Sequence, residues 1–231
     1  MATISVFTSN GQRTVMAELT PRFEKATGHK VTASYDPGQI MMRRIDAGES
    51  ADVVILGGAA LDDLAKKGKI VAGSTRAYSS CGIGVAVAAG LSKPDIGSVE
   101  AFKRALLAAK SVAYTIEGAS GIHFSGLIER WGIAPEIQAK AVRQPGGLVG
   151  ELVAAGKAEL AIQQIPELLA VSGIQYVGPL PQEVQKITVS SAGLFSGSKE
   201  PAAARAFLDF LFTPESAQVV KAKGHEPAKQ T

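Results

Sequence analysis

The stretch Ile4-Ser5-Val6-Phe7-Thr8-Ser9-Asn10-Gly11 determines how the rest of this sequence is interpreted. Its first half is apolar enough to form a short strand, and its second half consists of small polar residues and a glycine. Residues 12–27 then repeat apolar side chains at helical spacing. A strand that passes through small residues into a helix offers an anion several backbone N–H groups that have no partner inside the helix. An ordinary turn between a strand and a helix has the same pattern, so other parts of the chain must decide between the two interpretations.

Length and composition narrow the class of protein. The 231 residues allow one large domain or two lobes of roughly 100 residues each. Apolar residues make up 46% of the chain, which is enough for a substantial core, and no apolar run is long enough to span a membrane. The net charge of +3 is spread along the chain without a basic block, which argues against nucleic acid as a partner. The single cysteine, Cys81, excludes an internal disulfide and a metal site built from cysteines.

The order of the predicted elements indicates an α/β fold with two lobes. Strand and helix patterns alternate in the first part of the chain and again in the middle, which is typical of parallel sheets flanked by helices. Two long extended runs, residues 79–88 and 186–194, are placed to cross between the lobes. We therefore predict one lobe formed by residues 1–80 plus 192–231 and another formed by residues 81–191. Each lobe should hold a mostly parallel sheet, and the two long strands should act as a hinge.

Two local features add to this prediction. Pro21 should kink or interrupt the first helix, because proline has no N–H to donate. The tail from Gly224 onward is polar and is expected to be loose.

Four loops share the pattern of the opening stretch, with small residues between a strand and a helix. They are Ser9-Asn10-Gly11, Pro37-Gly38-Gln39, Ala119-Ser120-Gly121 and Pro145-Gly146-Gly147. Two lie in each predicted lobe, and loops at the carboxyl ends of parallel strands meet at one edge of a sheet. If the lobes face each other, the four loops would surround a small anion or polar solute. The alternative is that their glycines only serve turns.

Two further side chains are candidates for the same site. Gln164 ends a predicted buried strand, and Arg143, just before the Pro145 turn, has the fork of N–H groups that binds a carboxylate. Each is also a common kind of exposed residue on a protein surface. The complete set of candidate ligand-binding residues is Ser9, Asn10, Gly11, Gly38, Gln39, Ser120, Gly121, Arg143, Gly146, Gly147 and Gln164.

No motif of a known enzyme class is present. The three histidines lack the spacing of a metal site, and no P-loop, dinucleotide-binding glycine motif or G-x-S-x-G elbow occurs. Cys81 lies in a strand-like run, where a buried, unreactive thiol is the usual case. The sequence thus predicts a binding protein without catalytic residues, cofactor or metal.

On these stretches the chain resembles the type II periplasmic solute-binding proteins, and among them the molybdate-binding proteins of ABC importers. The resemblance is carried by ISVFTSNG at residues 4–11, Phe-x-x-x-x-Gly at 23–28, Gly-x-x-Ala-Asp-Val at 48–53 and the closing helices at 207–227. It implies the type II fold and a monomer that captures a small anion in the cleft between its lobes. It also implies delivery of that anion to the permease subunits of an ABC transporter, and a periplasmic location with the export signal removed from this chain.

The predicted binding loops depart from the pattern of the molybdate-binding proteins. Those proteins commonly place serine hydroxyls in the first two loops, where this chain has Gly11 and Gly38, and often a tyrosine at the position of Gln164. Each lost hydrogen bond to a charged ligand would weaken binding by about 1.5–3 kcal/mol. The residues therefore favour a small organic acid over a tetrahedral oxyanion such as molybdate, tungstate or sulfate.

Two other functions stay open. Strand residues begin at the third position with no export signal before them, so a cytosolic ligand-sensing or regulatory module on the same fold is the alternative. An enzyme built on this scaffold is the third interpretation, which turnover of a bound solute would support.

Overall fold

The computed structural model describes residues 1–228, and the chain divides into two compact units. Unit 1 comprises Met1–Ser80 and Thr188–Thr231, and unit 2 comprises Cys81–Ile187. The strands are β1 Thr3–Thr8, β2 Lys30–Tyr35, β3 Val53–Gly57, β4 Arg76–Cys81, β5 Ile83–Ala88, β6 Val112–Thr115, β7 Ala141–Gln144, β8 Leu160–Gln164, β9 Ile174–Pro179, β10 Thr188–Leu194 and β11 Glu226–Pro227. The α-helices are α1 Arg13–Thr27, α2 Gly38–Asp46, α3 Gly58–Lys66, α4 Val99–Ala108, α5 Ala119–Arg130, α6 Ala134–Gln138, α7 Gly150–Ala154, α8 Ile165–Leu169, α9 Pro201–Leu211 and α10 Pro214–Ala222. Short 3₁₀ turns lie at Asn10–Gln12 and Gln182–Val184.

Unit 1 is built on a six-stranded sheet with the strand order β11-β4-β10-β3-β1-β2. β1 pairs in parallel with β2 and β3, whereas β10 runs antiparallel to β3. Along β3, Val53 and Ile55 face one apolar core while Val54 and Leu56 face another. Helices α1, α9 and α10 cover the first core, and α2 and α3 cover the second. The uninterrupted apolar run of β3 follows from burial on both faces.

Asp52 joins the start of β3 to two other segments of unit 1. Its carboxylate accepts hydrogen bonds from the backbone N–H and the hydroxyl of Ser5, at 2.8 and 2.7 Å, and from the Ser198 hydroxyl at 2.7 Å. The N–H of Lys199 donates to the same carboxylate at 3.0 Å, just before α9 begins. Burial raises the pKa of Asp52, but the hydrogen bonds outweigh burial and leave the pKa below its usual value. The charged carboxylate therefore ties β1, β3 and the start of α9 together.

Unit 2 has a five-stranded sheet with the order β7-β6-β8-β5-β9. β6 pairs in parallel with β7 and β8, while β5 runs antiparallel to β8 and β9. Helices α4, α5 and α6 pack on one face, where Phe124 is fully buried and Trp131 packs against the same core. Helices α7 and α8 supply Val153 and Leu168 to the core on the other face. Among residues 1–228, no helix combines the length and the apolar character needed to cross a membrane.

The predicted α/β fold class is confirmed, but both sheets are more mixed than the sequence indicated. The parallel pairs β1–β2, β1–β3, β6–β7 and β6–β8 each involve β1 or β6. β10 and β5 add antiparallel pairs to the two sheets. The alternation of strands and helices predicted parallel pairing, and strands that enter a sheet from elsewhere in the chain do not show that alternation.

The run 79–88 is two strands instead of one. Gly82 separates β4, in the sheet of unit 1, from β5, in the sheet of unit 2. The side-chain amide of Gln185 accepts from the N–H of Ile83 at 2.8 Å and donates to its carbonyl at 2.9 Å. A Cβ on Gly82 would lie 3.1 Å from that amide, so a glycine here lets the Gln185 side chain approach the backbone.

The expected interruption of the first helix at Pro21 is wrong. Helix α1 runs without a break from Arg13 to Thr27. Leu19 and Phe23, on either side of the proline, are buried in the core of unit 1. Tertiary packing of this apolar face holds the helix together despite the missing N–H.

The prediction of a loose tail from Gly224 is also wrong for the residues that the structure describes. His225 is only 3% exposed, and Glu226–Pro227 pairs with β4 as the short strand β11. The part of that prediction that falls on residues 229–231 lies outside the described residues.

Candidate functional site

In unit 1, two of the four predicted loops lie at the same edge of the sheet. β1 and β2 are parallel and end together, with Thr8 opposite Tyr35. Residues 9–11 follow β1, and residues 38–39 open helix α2 after β2. The N–H of Asp36 donates to the carbonyl of Thr8 at 3.2 Å, which holds the two loops side by side.

A buried polar framework supports the first of these loops. His225 Nε2 lies 2.9 Å from the carbonyl oxygen of Gly11, and because that oxygen only accepts, Nε2 carries the proton. Gln12 Nε2 donates to the hydroxyl of Ser79 at 3.0 Å, and all three side chains are nearly completely buried. Burial lowers the pKa of His225, although its bond to Gly11 acts the other way, so the ring is neutral at pH 7. The sequence did not reveal this role of His225, because 214 positions separate it from Gly11.

The first loop also carries groups suited to an anion. The hydroxyl of Thr8 is fully buried and has no hydrogen-bond partner among residues 1–228. Next to it, Ser9 is half-buried and Asn10 is 8% exposed. A buried hydroxyl without a partner destabilises a fold, and a bound acceptor relieves that penalty.

The second loop offers space. A Cβ on Gly38 would meet no other atom within 4 Å, and Gln39 is exposed. Packing within unit 1 therefore does not require a glycine at position 38. A serine would fit there, so the glycine removes a possible hydroxyl donor without a steric reason from the fold.

A third loop at this edge was not among the predicted site residues. β3 is parallel to β1 and ends at Gly57, and Gly58 opens helix α3. A Cβ on Gly58 would lie 3.5 Å from the hydroxyl oxygen of Ser191, a buried residue of β10. The glycine pair Gly57-Gly58 after an apolar strand could have indicated this loop from the sequence. Ser191 could not have been found in this way, because it lies far along the chain.

In unit 2, backbone hydrogen bonds join the loops that follow β6 and β7. The N–H of Ile116 donates to the carbonyl of Gln144 at 2.9 Å, and that of Glu117 donates to Pro145 at 3.1 Å. Thr115 is the last residue of β6 and occupies the place that Thr8 has in unit 1. Its hydroxyl is likewise buried and has no hydrogen-bond partner in the described part of the chain.

Two glycines allow helix α5 to begin directly against Thr115. A Cβ on Gly118, the N-cap of α5, would lie 2.3 Å from the Thr115 hydroxyl oxygen. A Cβ on Gly121 would lie 1.6 Å from the carbonyl oxygen of Thr115. The unpartnered hydroxyl is thus at the N-terminus of a 12-residue helix, with Ser120 buried in its first turn. Helix dipole and hydroxyl together favour negative charge at this point.

The loop that contains Gly146 and Gly147 is fixed by Gln163. Gln163 Nε2 donates to the carbonyl of Gly147 at 2.7 Å, and its Oε1 accepts from the N–H of Val149 at 2.9 Å. Gln164, the predicted site residue, is the last residue of β8 and is 9% exposed. The sequence singled out the glutamine pair but not the positioning role of its first member.

Arg143 is set apart from these loops. It lies within β7, opposite Tyr114 of β6, and its side chain is exposed. It forms no ion pair with another of residues 1–228. Its contribution to a site stays a prediction.

A buried carboxyl lies just behind the end of β8. Glu167, in α8, is 8% exposed, and burial raises its pKa to about 8 although the backbone of Gln164 donates a hydrogen bond to it. Glu167 is therefore mostly protonated at pH 7.

Cys81 is buried, as the sequence predicted, and burial together with nearby Glu167 raises the pKa of its thiol to about 12. Among residues 1–228, no group of three or more His, Cys, Asp or Glu side chains is arranged to hold a metal ion.

Comparison with protein families identifies the chain. Residues 4–226 match the family described as bacterial extracellular solute-binding protein. The chain belongs to this family. The solute-binding protein is 37% identical over 233 residues to aconitate isomerase of Pseudomonas sp, covering 98% of this chain and 88% of that protein. It is 29% identical over 226 residues to the molybdate-binding protein ModA of Azotobacter vinelandii, covering 91% of this chain and 84% of that protein.

A solved structure supports the same family at the level of the fold. The periplasmic molybdate-binding protein of Azotobacter vinelandii matches with a TM-score of 0.82 at 19% identity, covering 98% of this chain and 100% of that chain. The resemblance predicted from the opening stretch and the closing helices is therefore confirmed. As a member of this family, the protein takes a small solute as its ligand.

Proposed function

We propose that this solute-binding protein captures a small organic acid outside the cytoplasm at the loops that follow its parallel strands, and delivers it to the permease of an ABC transporter. The ligand class in this proposal is a compact molecule with two or three carboxylates. Two independent observations support the proposal: the family to which the chain belongs, and the unpartnered hydroxyls at the ends of its parallel strands.

The observation that carries the proposal recurs in the two units. In each, a parallel strand ends in a threonine, Thr8 or Thr115, whose buried hydroxyl has no partner in the described chain. A helical segment begins within a few residues of that threonine. A carboxylate oxygen accepts hydrogen bonds both from such a hydroxyl and from the free N–H groups at the start of a helix.

An organic acid suits the residues better than molybdate does. Gly11 and Gly38 supply no hydroxyl to surround a small tetrahedral ion, and the space beside Gly38 is open. The relative named aconitate isomerase is named for a tricarboxylate. Additional carboxylates need room and further donors, which the open loop at the end of β2 would provide.

A panel of anions tests the ligand class. Thermal unfolding and titration calorimetry would compare cis-aconitate, trans-aconitate and citrate with molybdate and sulfate. A ligand at 100 times its Kd should stabilise the protein by about 2.7 kcal/mol. We expect this response from one or more of the carboxylates. Stabilisation by molybdate alone would overturn the organic acid, and no response to any of the anions would overturn the anion site.

Delivery and location have their own test. Fractionation of the source cells should place the protein outside the cytoplasm, and loss of the protein should abolish uptake of the labelled acid. Recovery in the cytosolic fraction would favour the alternative function, a ligand-sensing or regulatory module.

The second candidate function is isomerisation of aconitate. It is favoured by the 37% identity that extends over 98% of this chain to a protein named as that enzyme. The reaction requires a proton to leave the CH₂ group of the acid, the double bond to shift by one position, and a proton to be added at the far carbon. Glu167 is the chain's candidate for proton transfer, because its buried carboxyl holds a proton at pH 7 and ionises near pH 8.

Proton NMR of the protein with cis-aconitate in D₂O distinguishes the two candidate functions. Isomerisation would convert the cis to the trans signals, with deuterium incorporated from the solvent if the removed proton exchanges. Glu167→Gln should then lose turnover while keeping ligand affinity in calorimetry. Binding without any conversion by the unaltered protein would leave transport as the function.

A further inference from the structure

Arg13 stands at the edge of unit 1 where the predicted binding loops meet. It is the first residue of helix α1, and its side chain is exposed. Its guanidinium carbon lies 4.2 Å from the centre of the Tyr35 ring, and its Nη2 lies 3.5 Å from Asn10 Oδ1. The ring covers one face of the guanidinium, so the group is held in one plane with its N–H edge available.

The position of Arg13 is unfavourable unless an anion is present. A positive charge in the first turn opposes the helix dipole, which favours negative charge there. Arg13 forms no ion pair with a carboxylate of residues 1–228. The nearby Arg44 differs, because Asp36 and Glu49 both pair with it. Arg13 is therefore uncompensated by a carboxylate, whereas Arg44 is paired with two carboxylates.

A second, independent feature at the same place indicates a ligand. Thr8, whose buried hydroxyl has no partner among the described residues, lies opposite Tyr35 in the pairing of β1 with β2. The ring that supports Arg13 thus belongs to the residue paired with Thr8. The hydroxyl of Thr8 and the guanidinium of Arg13 therefore both belong to the end of the β1–β2 pair, and neither has a carboxylate partner among residues 1–228.

We propose that Arg13, Asn10 and Thr8 form a carboxylate-binding subsite in unit 1, with Arg13 as the residue that selects a carboxylate. This proposal rests on the proposed function, since it names the part of the site that distinguishes an organic acid from molybdate. The guanidinium edge donates two parallel N–H groups to the two oxygens of the carboxylate. Asn10 aligns the fork, and the Thr8 hydroxyl donates to one of the same oxygens.

Titration calorimetry with trans-aconitate, cis-aconitate and citrate tests the subsite. Arg13→Gln should weaken the affinity for the bound acid roughly 10- to 100-fold, because hydrogen bonds between charged groups are lost. Arg13→Lys keeps the charge without the fork and should recover only part of that loss. Thr8→Val, which keeps the shape and removes the hydroxyl, should weaken binding by roughly tenfold.

Arg22→Gln is the matched control on the same helix. Arg22 carries the same charge but pairs with Glu18 and Glu215, so its replacement should leave the affinity unchanged. The melting temperature of unliganded Arg13→Gln should stay close to that of the unaltered protein. The lost contact with Tyr35 and the relieved opposition to the helix dipole are of similar size and opposite sign.

The outcomes separate this subsite from the proposed function. If the unaltered protein binds a carboxylate and Arg13→Gln binds it equally well, the subsite is wrong and the proposed function stands. If the unaltered protein binds none of the three acids, both are wrong. An equal loss of affinity in Arg13→Gln and Arg22→Gln would show a general effect of charge and would also overturn the subsite.

Discussion

His225 links the last described segment of the chain to the first loop. Its ring is buried, its Nε2 donates to Gly11, and its Nδ1 has no partner among residues 1–228. Protonation would place a proton on Nδ1, where the described residues offer no acceptor. The loop that carries Ser9 and Asn10 is therefore held in place by a neutral histidine.

The stability of the protein should depend on the charge of His225. Its pKa in the folded state lies below the ordinary 6.5, so the unfolded state binds more protons as the pH falls below 6.5. The stabilisation from the neutral ring is complete above pH 6.5 and decreases at lower pH until the folded-state pKa is reached. Chemical denaturation of the unaltered protein and of His225→Gln should differ in this way between pH 5 and 7. His29→Gln is the control and should keep the decrease, and the same pH profile in all three proteins would contradict this role.

Glu167 should make the free energy of unfolding depend on pH in the opposite direction. Its folded-state pKa is raised to about 8 from 4.5, so the folded state binds more protons between these values. Stability from the protonated form is fully present below pH 4.5 and is lost as the pH rises towards 8, by up to about 1.4 kcal/mol per pH unit. Glu167→Gln cannot ionise and should remove this loss in the same denaturation series. A variant that loses stability with pH as the unaltered protein does would show that another group is responsible.

For single residues, the sequence predicted which types of residue lie in the first loop better than it predicted their hydrogen-bond partners. Ser9, Asn10 and Gly11 could be proposed because strand, small residues and helix follow one another locally. The framework of Gln12, Ser79 and His225 could not, because its members come together only in the folded sheet. Polar composition alone suggested a loose tail where a buried histidine lies.

Among the secondary-structure elements, helix α5 depends on two glycines with different surroundings. Gly121 allows the first turn to pack against the carbonyl of Thr115, since a Cβ would lie 1.6 Å from that oxygen. Gly126, on the same helix, would place a Cβ 3.3 Å from the flexible end of Arg130. One position has no room for a side chain, and the other has a neighbour that is able to move.

Alanine substitutions at these two positions should therefore have opposite effects. Gly121→Ala should lower the free energy of unfolding by about 1–3 kcal/mol or more, because the start of α5 must move away from β6. Gly126→Ala should raise it by up to about 1 kcal/mol, because alanine favours helix more than glycine does. Urea denaturation followed by circular dichroism measures both. Equal destabilisation by the two substitutions would contradict the close approach at Thr115.

Elements with strong periodicity were predictable, and the exceptions have physical causes. The helical spacing at residues 12–27 predicted α1, which is found at Arg13–Thr27. The division of residues 79–88 at Gly82 was hidden, because small apolar residues continue on both sides and the contact with Gln185 is distant in sequence. The short helix α6 was missed, since five residues show too little periodicity to distinguish a helix from a loop.

For the whole molecule, each unit has its own core. The clusters around Phe102 and Val153 lie entirely within unit 2, which is one continuous segment. The core of unit 1 takes Phe207 and Leu211 from α9, far along the chain from β1. Unit 2 is therefore self-sufficient in sequence, whereas unit 1 needs both ends of the chain.

A fragment of residues 81–187 should fold by itself. We expect helical circular dichroism and a cooperative thermal transition, because its sheet and both of its cores are complete. The matched fragment of residues 1–80 lacks β10, β11, α9 and α10 and should remain unfolded under the same conditions. A broad, non-cooperative transition in fragment 81–187 would show that unit 2 depends on unit 1.

The type of fold could be predicted from the sequence because it depends on repeated local patterns. The opening stretch and the Gly-x-x-Ala-Asp-Val segment at residues 48–53 identified the family, and the bonds of Asp52 give a physical reason for the second pattern. The site residues stay predictions, because binding depends on donors such as the Thr8 hydroxyl that no local pattern distinguishes from an ordinary strand residue.

The place of β10 in the sheet has a consequence for the protein while it is being made. β10 lies between β3 and β4, yet the ribosome adds it only after all of unit 2. Until Leu194 has emerged, the nascent chain carries β3 with an open edge, and such edges pair readily with other chains. During this interval unit 2 is able to complete its core, whereas residues 1–80 still lack β10. We therefore expect unit 2 to become native before unit 1, although residues 1–80 of unit 1 are translated first.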